Sequence, residues 1–200
     1  DAVAGKPLDP QLLRELEGKF TGVLGSRHVW YVTNVMAALQ LALRAANVTG
    51  EVLTTPFSYV ATTGAVLWEH CKPVFVDIEP TWLTINPEKL RAALTPRTTA
   101  ILATHVYGFP CDVAALEAFA REHGLKLVYD AAHTFGCELH GRPLAAYGDV
   151  SCLSFHATKI FHTVEGGAVV VNGDDLLAER VKLMRSFGHF GDDHRCLGIN

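Results

Sequence analysis

Residues 100–133 read AILATHVYGFPCDVAALEAFAREHGLKLVYDAAH. The first five, Ala100 to Thr104, form a short apolar run. Asp112 to His123 has the Ala- and Leu-rich composition of a helix, with Asp112 in the N-cap position. Leu125 to Tyr129 (LKLVY) is a second apolar run, and it stops at Asp130. Short runs with little polar alternation fit strands buried on both faces. Two such strands joined by a helix of about a dozen residues make a parallel crossover, which predicts an α/β fold.

The same alternation extends in both directions. Upstream, Leu12, Leu13, Leu16, Phe20, Val23 and Leu24 recur at helical spacing within a helix expected from Leu8 to Leu24, with Asp9 as N-cap and Pro10 at its first position. His28–Val32 reads as a strand, Met36–Ala46 as a helix, Glu51–Thr55 as a strand, Tyr59–His70 as a helix and Lys72–Asp77 as a strand. A short helix is expected at Pro87–Leu94. Downstream, Val150–Phe155 and Gly167–Val171 read as strands, and Asp174–Phe187 as a closing helix. No repeat or linker marks a boundary. The expectation is one three-layer αβα unit with a mainly parallel sheet.

Composition narrows the function classes. The chain has 200 residues, 49% hydrophobic and 19% charged, with 17 Lys and Arg against 21 Asp and Glu. A net charge of −4 gives no electrostatic footprint for nucleic acid. No apolar run approaches the roughly 20 residues of a spanning helix, and no basic-then-apolar leader opens the sequence. The five cysteines are scattered and never in C-x-x-C pairs, as expected of a reducing cytoplasm rather than a disulfide or zinc scaffold. These features point to a soluble cytoplasmic protein.

In a parallel sheet, ligands gather beyond the carboxyl ends of the strands. There stand Thr33-Asn34, Pro56-Phe57-Ser58-Tyr59, Asp77, His105 to Gly108, Asp130 to His133, and Ser154 to Lys159. No glycine-rich dinucleotide fingerprint, Walker loop, nucleophile elbow or H-E-x-x-H is present. His189, Asp192, Asp193 and His194 match no standard metal spacing, so no metal is expected. Asp130, His133 and Ser154 could in principle form a hydrolytic triad, but nothing marks Ser154 as a strained nucleophile. What remains is a lysine, Lys159, read as ending a strand among Ser154, His156, Thr158 and Glu165, with a carboxylate, Asp130, at another strand end. A desolvated amine can form a Schiff base with an aldehyde cofactor. A carboxylate beneath a pyridine ring keeps the ring nitrogen protonated and makes the ring an electron sink. Tyr59 could stack on such a ring and Ser154 could bind its phosphate.

Seven stretches fall in one order along the chain: TPFSYVATTG (55–64), KPVFVDIEP (72–80), LTPRT (94–98), HVYGFPCD (105–112), LVYDAAHTFG (127–136), YGDVSCLSFHATKIFHTVEGGAVV (147–170) and MRSFGHFG (184–191). Together they resemble the DegT/DnrJ/EryC1/StrS family of pyridoxal-phosphate-dependent sugar aminotransferases, most of all the enzymes acting on dTDP-linked 4-keto-6-deoxy sugars. The resemblance implies the large domain of a fold type I transferase over residues 1–200, with a smaller C-terminal domain following in longer family members. It implies pyridoxal 5'-phosphate as cofactor, glutamate as amino donor, a nucleotide-sugar substrate and a homodimer.

Residue by residue, Lys159 falls at the Schiff-base lysine and Asp130 at the partner of the pyridine nitrogen. His133 falls near the ring hydroxyl, Ser154 at the phosphate and Tyr59 on the ring face. The family's Ser-Gly-Thr-type turn, which holds the phosphate at a helix N-terminus, corresponds here to Thr33-Asn34-Val35-Met36. Val35 replaces the glycine and Met36 the hydroxyl residue, a loss of one hydrogen bond worth roughly 1 kcal/mol. The alternative reading is a domain of the same fold that binds cofactor or a partner protein without turnover. A nucleotide-binding domain unrelated to pyridoxal phosphate is disfavoured by the missing glycine fingerprint.

Overall fold

A computed structural model describes residues 9–199; Leu8, where the first helix was expected to begin, lies outside them. The elements run α1 (Pro10–Leu24), β1 (His28–Val32), α2 (Val35–Ala45), β2 (Glu51–Thr54), α3 (Val60–Trp68), β3 (Lys72–Phe75), α4 (Leu90–Ala93), β4 (Thr98–Thr104), α5 (Val113–His123) and β5 (Lys126–Asp130). There follow a small hairpin of β6 (Glu138–Leu139) and β7 (Arg142–Pro143), then β8 (Val150–Ser154), β9 (Gly167–Val171) and α6 (Asp175–Met184). A second hairpin joins β10 (His189–Phe190) to β11 (Asp193–His194).

Seven strands form one sheet in the order β1-β9-β8-β5-β4-β2-β3. β3, β2, β4, β5 and β8 are parallel; β9 runs antiparallel to both β8 and β1. Alternation along each strand builds two cores. Val52, Leu102, Val128 and Val169 pack with α2, α3 and α6 on one face. On the other face, Leu53, Ile101, Leu127 and Tyr129 pack with α5, and Val29, Leu153 and Val170 pack with Phe20 and Leu24 of α1. The central strands β4, β5, β8 and β9 are mostly apolar because both of their faces are covered.

The edge strand β1 is closed by charge. The Glu17 carboxylate accepts from Tyr31 N–H at 2.9 Å, and the Arg185 guanidinium donates to Tyr31 C=O at 3.1 Å. Glu17 and Arg185 also pair with each other, both largely buried. This occupies backbone groups that would otherwise template another strand. On β2, beside the other edge strand, Glu51 accepts from Thr95, Arg97 and Lys72, and these hold its carboxyl at about 2.

Two features differ from the sequence reading. Asp130 is the last residue of β5 rather than the residue after it, because it completes the ladder with β4 and β8. Lys159 does not end a strand: β8 stops at Ser154, and the lysine lies five residues further on, in an irregular loop. The two hairpins carry strands of two residues, too short for a periodicity to show.

Candidate active site

The C-terminal ends of β2, β4, β5 and β8 bring Thr54, Thr104, Asp130 and Ser154 to one edge of the sheet. The N-termini of α2 and α3 rise from the same edge, and together they enclose a cavity of about 780 Å³. Asn34, Val35, Met36, Tyr59, Asp130, His133, Ser154 and Lys159 all border it. Chain separations of more than a hundred residues therefore converge on one pocket.

Asp130 is 4% exposed. One carboxylate oxygen accepts from the Thr62 hydroxyl at 2.6 Å and the other from Ala132 N–H at 3.2 Å. Burial raises its pKa; the Thr62 and Ala132 hydrogen bonds and the charges of His133 and Lys159 pull the other way. His133 Nδ1 accepts from Tyr107 N–H at 3.1 Å, which puts the proton of the neutral ring on Nε2. Burial lowers its pKa, and the Lys159 charge adds to the effect. With Nδ1 committed to a backbone amide, His133 cannot serve Ser154 as a triad base.

Lys159 is carried on the loop between β8 and β9. Phe161 on that loop stacks on Phe135 with ring centres 4.2 Å apart, and Phe20 and Phe155 close edge-on around it. Backbone bonds from Phe155 to Gly166 and from Ala157 to Val164 pin the two arms together. The Lys159 amine forms no hydrogen bond or ion pair with any described residue. Its charge acts on Asp130 and His133 across the cavity.

The turn before α2 is built differently from a glycine turn. Asn34 is the N-cap, its side chain accepting from Ala37 N–H at 2.9 Å. The amides of Val35 and Met36 that follow have no acceptor among the described residues. The thioether of Met36 turns to α3, where its methyl lies 3.3 Å from the place a Cβ on Gly64 would occupy. The Met36 side chain thus packs partly into the α2–α3 contact. Gly167 of β9 backs the turn: a Cβ there would stand 2.7 Å from the Asn34 carbonyl carbon and 2.8 Å from the Leu153 oxygen. Ser154 Oγ, also buried, accepts from His156 N–H at 3.4 Å. Tyr59 is the N-cap residue of α3 and makes no side-chain capping bond; its ring is 76% exposed at the cavity wall.

Sequence reasoning gave no role to several residues of this wall, although Ser58 and Tyr107 fell within the strand-end stretches it singled out. Ser58 and Thr104 border the cavity, and Thr62 stands behind it, in hydroxyl contact with Ser58. Their only signal was hydroxyl residues at strand ends and in the first turn of a helix, which is common everywhere. Tyr107, at positive φ (55°), lies parallel to His133 with ring centres 6.1 Å apart. Conversely His105, next in sequence to Thr104, is off the cavity. It is fully buried on the α5 side, stacked on Tyr129 at 4.3 Å. Among the described residues no three His, Cys, Asp or Glu side chains gather as a metal set.

Comparison with known proteins agrees with this geometry. The chain is 43% identical over 179 residues to the dTDP-4-amino-4,6-dideoxy-D-glucose transaminase of Shigella dysenteriae, covering 90% of this chain and 48% of that protein. The structure of DesI in the presence of its TDP-sugar product superposes with a TM-score of 0.90 at 41% identity, over 96% of this chain and 49% of that one. The structure of ntda from Bacillus subtilis with bound cofactor pmp matches with a TM-score of 0.88 at 28% identity, over 100% of this chain and 45% of that one. The chain thus spans about half the length of the curated relatives it matches. Its architecture is that of the fold type I pyridoxal-phosphate transferases. The DegT/DnrJ/EryC1/StrS aminotransferase family model matches residues 9–199, and the chain belongs to that family.

Proposed function

We propose that this chain is the cofactor-binding large domain of an aminotransferase that moves an amino group from glutamate to a nucleotide-linked keto-deoxy sugar of the dTDP-4-keto-6-deoxyhexose type. The observation that carries the reading is one cavity bordered at once by a free lysine amine, a buried carboxylate and the start of a helix. The family's cofactor is pyridoxal 5'-phosphate, and the donor set fits it. The unpaired Val35 and Met36 amides at the positive end of α2 suit a phosphate. Asp130 suits a protonated ring nitrogen, and the mostly apolar rim suits a flat ring.

When bound, the cofactor supplies an aldehyde that condenses with primary amines and a ring that takes up the electron pair released beside it. Lys159 would hold the cofactor through its amine, and the same amine would carry protons to and from the substrate carbons. Asp130 holds the proton on the ring nitrogen. His133, a donor through Nε2, stands ready for the ring oxygen. Ser154 would join the α2 amides in holding the phosphate, and Tyr59 would cover the ring face.

Exposed apolar side chains that border the cavity, among them Phe57, Tyr59 and Tyr107, support a homodimer closing over it. No helix among the described residues is long and apolar enough to cross a membrane. All five cysteines are free thiols, which supports the cytoplasm as the compartment.

The test is spectroscopic. Purified protein given pyridoxal phosphate should develop a visible absorption band that Lys159→Ala lacks, and glutamate should bleach it. A wild-type protein with no band refutes the proposal. A band that survives glutamate would instead favour binding without turnover.

A further inference from the structure

Asp130 sits at the end of a chain of hydroxyls that reaches into two other elements. Thr62 Oγ1 of α3 lies 2.6 Å from the Asp130 carboxylate, 2.6 Å from Ser58 Oγ, and Ser58 Oγ lies 3.0 Å from Thr104 Oγ1 at the end of β4. An ionised carboxylate only accepts, so the Thr62 proton points at Asp130. Thr62 oxygen must then accept from Ser58, and Ser58 from Thr104. Every proton in the row points toward the aspartate, and the dipoles reinforce one another. Thr62 and Asp130 are both buried, so water does not compete for the bond between them.

We propose that Thr62, backed by Ser58 and Thr104, is a positioning residue that keeps Asp130 ionised and aimed into the cavity. The inference rests on the reading of Asp130 as the partner of a protonated ring nitrogen, and it identifies what makes that role sustainable in a dry site. A buried carboxylate left alone takes up a proton, and a neutral carboxyl cannot hold a pyridinium. The Ala132 amide bond is local to the turn after β5. The Thr62 bond comes from α3, across 68 residues, and it also locks the start of that helix, where Tyr59 stands, to the sheet. The titratable groups facing Asp130 are His133 on the turn after β5, Lys159 on the loop after β8, and the buried Cys152 thiol of β8. α3 presents only the Thr62 hydroxyl.

The experiment follows the carboxylate directly. Cofactor-free protein carrying carboxyl-labelled aspartate is titrated by carbon NMR, with Asp130→Asn identifying the resonance, and pyridoxal phosphate affinity is measured on the same samples. Thr62→Val should raise the Asp130 midpoint by about one pH unit or more and weaken cofactor binding about tenfold at neutral pH. Thr62→Ser, which restores the hydroxyl, should return both to within about threefold of wild type. Thr104→Val, which leaves Thr62 in place, should move Asp130 the same way by less, and it carries the test if Thr62→Val does not fold. A folded Thr62→Val protein with an unmoved Asp130 midpoint overturns the proposal, as does an unmoved midpoint in Thr104→Val should the first variant not fold. If wild-type protein binds no cofactor, the functional reading fails while the NMR titration still decides whether the hydroxyl row controls Asp130.

Discussion

His105 offers a quantitative test of the core. Its ring is buried, Nδ1 accepts from Cys111 N–H at 3.0 Å, and Nε2 has no partner among the described residues. Nothing there compensates a positive charge, and burial lowers its pKa from 6.5 to about 3. Between those values the unfolded chain binds a proton that the folded one refuses, so stability rises with pH across the window. The contribution is fully present above pH 6.5 and is lost as the pH falls toward 3. From pH 7 to pH 5 this single group should cost about 2 kcal/mol. With a urea slope of roughly 2 kcal/mol per molar for a chain of this size, the midpoint should fall by about 1 M. The comparison is with His105→Gln, which is less stable at pH 7 through the lost stack on Tyr129 but should lose about 1 M less between the two pH values. The two proteins keep all other titrating groups in common, so the difference isolates His105. Parallel pH dependences in the two, or a His105 ring that titrates near pH 6.5 by NMR, would refute the reasoning.

Two further outcomes are expected. Gly167→Ala should destabilise by about 1–3 kcal/mol, because its methyl collides with backbone on both sides rather than with a flexible side chain; displacement of Asn34 should also weaken cofactor binding, and a variant with wild-type urea midpoint and affinity would count against it. Val164 is a β-branched residue at φ 71° and 69% exposed, so Val164→Gly should relieve backbone strain and gain about 1 kcal/mol net of the extra freedom of the unfolded chain. A lowered melting temperature would show that Val164 is held by contacts instead.

Much of the architecture was legible in the sequence because it rests on local signals. Asp9 and Pro10 announce α1, Asp112 caps α5, and the apolar runs at 100–104 and 125–129 read as strands with both faces covered. The ends of β2, β4, β5 and β8 were legible to within a residue, and with them the placing of Asp130, Ser154 and the turn at Asn34 at one edge of the sheet. Lys159 was visible by its neighbours in the chain, although its place on a loop pinned by Phe161 was not. The hydroxyl row was invisible: threonine and serine at a strand end or in a first helical turn are ordinary, and nothing at positions 58, 62 and 104 signals that three oxygens meet.

The order of helices and strands, the dry faces of the sheet and the edge at which chemistry gathers were all determined by the amino-acid sequence, since propensity, capping and periodicity act within a few residues. Whether a given polar side chain faces the cavity or the core was decided only by tertiary structure. Thr104 and His105 are neighbours in the chain, yet one feeds a proton row toward Asp130 and the other stacks on Tyr129, its Nδ1 held by the Cys111 amide and its Nε2 without a partner among the described residues. Adjacent residues leaving a strand point to opposite faces, and what waits on each face comes from segments tens of residues away. Charge state and hydrogen-bond direction depend on that company.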